Sequence, residues 1–169
     1  MSKYEVFLTV SGLLIMSITI YGQWEFFKFV MVTFLNVSIN VVELFKPFFI
    51  IGGLAILTMS LFLNAFTMWF VTAFYSDIEF LKLLIISMNG FLGVALITIV
   101  LLVYPGLIIS VELSSITGVI GDVISVITMY FLLRAFGAIR KEAIAASVAS
   151  WLITNLVFYG MTALTLHMV

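Results

Sequence analysis

The sequence predicts an all-α fold, a polytopic transmembrane helix bundle of five or six spans. Three observations predict it. Of 169 residues, 64% are hydrophobic and only 9% are charged, against roughly 45–50% and 25% in soluble domains. Mean hydropathy is +1.35, and seven cations with eight anions cannot cover a soluble body of this size. The charges also punctuate the chain: thirty uncharged residues separate Lys46 from Asp77, twenty-nine separate Lys82 from Glu112, and twenty-seven follow Glu142. Each run exceeds the roughly 20 residues that cross about 30 Å of hydrocarbon. Disorder is excluded by the same composition, because disordered chains are poor in apolar residues.

The first element runs from Val6 to Gly22 (VFLTVSGLLIMSITIYG), just long enough to cross. Lys3 before an apolar run has the look of a secretory signal, but no small-x-small cleavage site follows, so the segment is expected to be retained. The second, Phe26–Phe45, carries Thr33, Asn36, Asn40 and Glu43 at intervals of three or four, one polar stripe on a helix. Such a helix either lies flat in the interface or spans with its stripe toward neighbouring helices. Six spans follow from the second reading and five from the first.

Pro47 is expected to open the third helix, where its missing N–H costs nothing, and Phe48–Phe70 forms the span. Trp69, Phe74 and Tyr75 mark its far end as an aromatic belt. Ser76-Asp77-Ile78-Glu79 has capping-box spacing and starts a helix that continues through Lys82 into Leu83–Val103, stopped by Tyr104-Pro105-Gly106. Residues 107–122 (LIISVELSSITGVIGD) read as a partly buried outer connection or broken helix leading into Val123–Ile139. Ala143–Thr165 is the last span. Loop cations divide five to two in both topologies, placing 76–82 and 134–142 in the cytoplasm.

Chemistry is sparse. There is no cysteine, which removes disulfides, thiolate metal sites and thiol nucleophiles. The single histidine, His167, reads as an interfacial tail residue. No catalytic set, no clustered metal ligands and no phosphate loop is expected, hence no enzyme activity and no cofactor. A net charge of −1 gives no electrostatic case for nucleic acid. Glu43, Glu112 and Asp122 lie beside or within apolar segments, so with Thr33, Asn36 and Asn40 they are the candidate polar pathway; the alternative is headgroup-level solvation. Arg134 is expected to snorkel to the interface or to pair with Glu142.

Asn36, Asn40, Asn64, Asn89 and Asn155 fall within the predicted spans, as packing bonds or as the lining of a path. Gly52-Gly53, Gly90-x-x-Gly93, Ala143/Ser147 and Ala146/Ser150 offer small faces for close helix packing. Asp77, Glu79, Lys82, Arg134, Arg140 and Lys141 form the candidate cytoplasmic contact. Membrane lipid and other transmembrane subunits, or further copies of this chain, are the partners this composition implies.

From Phe45 to Tyr159 the order of segments is a proline-led span (KPFFIIGGLAILTMSLF), a "YSDIEFLKLLII" stretch, a span ending in "YPGLI", and a hairpin through "LLRAFGAIRKEAIAASVASWLI". This resembles the Yip family, multispanning proteins named for interacting with Ypt/Rab-type GTPases, and its prokaryotic relatives. The basic turn between a small-residue span end and an alanine-rich return is the main parallel, with D-x-x-F-x-x-L-L at Asp77–Leu84 the second. The family's aspartate-tyrosine-glycine-proline run has no counterpart here. The resemblance implies five spans, a cytoplasmic N-terminus and an outward C-terminus, in a prokaryotic plasma membrane or an endomembrane. The function expected is a non-enzymatic scaffold that organises or shapes membrane. A small transporter or channel, and an accessory subunit of a redox or energy-coupling complex, are the alternatives.

Overall fold

The computed structural model describes the backbone of residues 2–104 and 111–167, with side chains for 2–104 and 116–157. These residues are helical, with no strand among them. The elements are α1 (Lys3–Thr33), α2 (Ile39–Thr72), α3 (Phe80–Gly90), α4 (Leu92–Val103), α5 (Val111–Ala135) and α6 (Arg140–His167). Four stretches are long and apolar enough to cross a membrane: α1, α2, the α3–α4 rod and Ile116–Ala135 of α5. The chain is a multi-pass helical membrane protein.

The α3–α4 rod is the central member. Half of its apolar window is buried, against 22–28% for the other three, and it packs on α1, α2 and α5 while α6 closes against α2 and α5. One end of the bundle gathers Glu5, Lys82, Ser76, Glu142, Tyr4 and Phe136 through mutual contacts. The other gathers Trp24, Lys28, Glu43 and Phe49. The helices therefore pass alternately up and down, with α3 and α4 counted as one traverse.

Several boundaries differ from the expectation, each for a local reason. The first helix does not end at Gly22. Gln23 and Glu25 are polar without being helix breakers, and Glu25 pairs with Lys28 at 2.6 Å one turn on, so α1 continues to Thr33. No helix covers 26–45. Residues 34–38 turn, with Asn36 at φ 52°, and Ser38 caps α2 by accepting from the Val41 N–H at 3.4 Å. The proposed stripe is thereby divided between the end of α1, a turn and the start of α2.

Pro47 lies inside α2 rather than at its start, where it deprives the Glu43 carbonyl of its helical donor. The expected box at Ser76–Glu79 is absent. Glu79 is itself the N-cap of α3, without a side-chain cap bond, and the Ser76 hydroxyl donates to the Glu142 carboxylate instead. The capping box that does form is Ser2 with Glu5, at the start of α1.

The predicted 83–103 helix breaks at Phe91, between α3 and α4. Helix α5 begins at Val111, inside what reads as a connection from the sequence, while residues 105–110 lie outside the described ones. It ends at Ala135 rather than Ile139, in a Schellman cap. Gly137 sits at φ 101°, its N–H donates to the Arg134 carbonyl, and the Ala138 N–H donates to the Leu133 carbonyl. Glu142 accepts the Ile139 N–H at 3.2 Å and so starts α6 at Arg140.

Candidate functional site

The interior is polar where the helices cross at mid-length. Asn89 of α3 donates to the Leu8 and Ile85 carbonyls, 2.9 Å each, and accepts from Ser11 at 2.8 Å, tying α1 to the rod. Ser87 donates to the Leu61 carbonyl of α2 at 3.0 Å. Asn64 of α2 accepts from Ser150 and Thr154 of α6, both at 2.6 Å. These are the interhelical bonds that stand in for the hydrophobic pull missing between helices in lipid. Asn155 instead bonds within its own helix, to the Trp151 carbonyl at 3.0 Å.

Close backbone approach supplies the rest. A Cβ on Gly93 would overlap the Gly121 carbonyl oxygen, and one on Gly90 would meet Met129 Cγ at 2.9 Å. Gly12 against Met88, Gly22 against Thr98, and Gly121 against Ile97 are equally tight contacts outside the predicted packing set. Gly52 and Gly53 go the other way: nothing lies within 4 Å of an added Cβ, so their predicted packing face meets no other helix here. Ala143, Ala146, Ser147 and Ser150 are all buried in the α6 interface.

Asn64 lies in the wall of a half-open pocket of about 240 Å³ that α1, α2, the α3–α4 rod, α5 and α6 all line. Its polar lining is Gln23, Ser60, Asn64, Asp122, Ser125, Thr154 and Asn155, joined by the Trp151 indole and by Phe91 at the break between α3 and α4. Asp122 is half-buried, 13 residues or roughly 20 Å of helix rise from the end of α5. It makes no ion pair among the described residues. Ser125 Oγ and Trp151 Nε1 are buried beside it without hydrogen-bond partners. The site thus holds a carboxylate with no cation and two donors with no acceptor, where unsatisfied polar groups cost most.

Of the predicted pathway residues whose side chains are described, only Asp122 lines this pocket. Thr33, Asn36, Asn40 and Glu43 are exposed around the α1–α2 turn, and Glu43 lies 3.9 Å from Lys28 and 3.8 Å from Lys46. Glu112 is the second residue of α5; its side chain, like that of His167 at the end of α6, lies outside the described residues. The predicted contact residues do share one end. Asp77, Glu79, Arg134, Arg140 and Lys141 are exposed there, and Lys82 ties Glu79 at 3.0 Å to Glu5 at 4.0 Å. Arg134 pairs with no acid; it donates to the Ala138 carbonyl at 2.7 Å.

Gln23, Ser60, Ser125, Trp151 and Thr154 are missing from the sequence-based site. Their spacing carries a signal: Ser60/Asn64, Asp122/Ser125/Met129 and Trp151/Thr154/Asn155 each share one helical face. Among the described residues no three His, Asp or Glu side chains cluster as a metal site would require. No protein-family model matches this chain, and no curated protein or solved structure matches it either.

Proposed function

We propose that this multi-pass membrane protein binds a small cationic solute at Asp122 within the bilayer and carries it across. One observation bears the reading: a half-buried carboxylate, with no counter-ion among the described residues, lines a mainly apolar pocket halfway along the bundle, where α3 meets α4. A carboxylate partly withdrawn from water at mid-bundle is costly until a cation neutralises it, and intramembrane carboxylates serve ion and substrate paths for that reason. The five alternating passes, with Lys3, Lys82, Arg134, Arg140 and Lys141 at one end and Lys28 and Lys46 at the other, favour a cytoplasmic N-terminus.

The test is saturable binding of ammonium, methylammonium and tetramethylammonium to the full chain in nanodiscs, with flux of the same ions into liposomes. Asp122→Asn keeps the size of the side chain and removes its charge. Loss of more than about tenfold in affinity is expected; no saturable binding of any of the three by the native chain overturns the reading.

A non-enzymatic scaffold or accessory subunit is the second reading, favoured by the uncovered Gly52-Gly53 face on α2. The Yip likeness belongs with it, since five passes and a basic turn between α5 and α6 are what that family implies. Co-purification of a second transmembrane chain, lost on Gly52→Leu, is its distinguishing result.

A further inference from the structure

Asp122 and Trp151 each line two spaces. One is the pocket beside Asn64; the other is an apolar groove of about 310 Å³ between α5 and α6, walled by Val119, Val123, Val126, Ile127 and Val148. Val119, Val123, Ile127 and Val148 are exposed on the outer face of the bundle, among the side chains that meet lipid tails. Among the described residues Asp122 is the only charged group lining the groove, and Trp151, whose indole N–H has no partner there, lines it too. Each space alone lies at or near the lower limit of ligand pockets, roughly 300–1,000 Å³; together they fall inside that range.

From these two shared lining residues we infer that the cation is amphiphilic and enters sideways from the bilayer: an ammonium head on Asp122 carrying one hydrocarbon chain that lies in the α5–α6 groove. The inference rests on the reading of Asp122 as the cation-binding carboxylate. Charge selects the head. A carboxylate without a counter-ion excludes anionic lipid headgroups and attracts an ammonium, and the Trp151 ring adds a cation–π surface for it. Shape selects the tail, because the groove beyond Asp122 is lined by valine and isoleucine and holds nothing for a polar body to bond. Position selects the route, because the groove opens on the lipid-facing surface, where the hydrocarbon tail of a membrane-dissolved amphiphile already lies.

Two radiolabelled probes test this on the full chain in phosphatidylcholine nanodiscs, each corrected for binding to protein-free discs. Tetramethylammonium reports the head site alone, and dodecyltrimethylammonium reports head and groove together. Val123→Trp and Val148→Trp fill the groove from opposite walls, and both positions are exposed, so the fold is retained. Each is expected to weaken the dodecyl probe about tenfold or more while leaving tetramethylammonium within about twofold. Asp122→Asn weakens both. If neither tryptophan variant affects the dodecyl probe, the lateral route is wrong and the Asp122 site survives. If Asp122→Asn leaves both probes unchanged, the site and the route fail together.

Discussion

Gly93 and Gly52 show how differently one residue type behaves in the same bundle. Both sit in small-residue patterns, yet Gly93 lets α4 touch the Gly121 carbonyl of α5 while Gly52 has no neighbour within 4 Å. Gly93→Leu is therefore expected to lose about 1–3 kcal/mol or more through overpacking that rigid backbone cannot relieve. Gly52→Leu leaves the isolated chain's stability nearly unchanged. Thermal unfolding and monodispersity in one detergent compare the two; equal behaviour would remove the close-contact account of the α4–α5 interface. Asn64 and Asn89 belong to the same scale. Their positions in apolar spans are visible in the sequence, but their partners Ser150, Thr154, Ser11 and the Leu8 carbonyl are 78 to 90 residues away in the chain.

Helix ends were the least legible part, and the errors share a cause. Polarity at Gln23, Glu25 and Lys28 reads as the edge of a span, but a helix stops only where backbone geometry or hydrogen bonding changes. Here that is Asn36 in the left-handed region and Gly137 at φ 101°. Both positions resist a β-branched residue. Asn36→Gly is expected to be tolerated, whereas Asn36→Val and Gly137→Val each strain the turn by about 1–2 kcal/mol. Melting temperatures of the three variants measure this, and an unchanged Gly137→Val would contradict the Schellman cap. The central rod shows the converse. Its break at Phe91 follows no proline, and the sequence around it, Asn89-Gly90-Phe91-Leu92-Gly93, is apolar enough to read as uninterrupted.

Across the whole molecule, the turn at 34–38 lies at one end and the connections at 73–79 and 136–139 lie at the other. The chain has no cysteine to confuse labelling. Single cysteines at Ser38, Asp77 and Ile139 should therefore divide one against two when probed with a membrane-impermeant maleimide on sealed vesicles. Asp77 and Ile139 are expected on the cytoplasmic side. Labelling of Ser38 on the same side as the other two would refute the alternating passes. Buried Glu142, held by Ser76 and the Ile139 N–H, joins the two connections at their shared end of the bundle, so they are expected to move as a unit.

The solvent class of this protein is written in its composition: a chain with 9% charged residues has no polar coat to put against water, whatever its fold. The charge-free runs likewise determine that it crosses lipid several times, because length against bilayer thickness is a one-dimensional property. Tertiary structure alone decides which polar residues meet. Asp122 reads as one of three peripheral acids until α5 is docked against the broken rod and α6, which turns it inward beside Ser125 and Trp151. Face and depth depend on helix rotation and on contacts between distant segments, and local periodicity does not encode which neighbour a polar face will find.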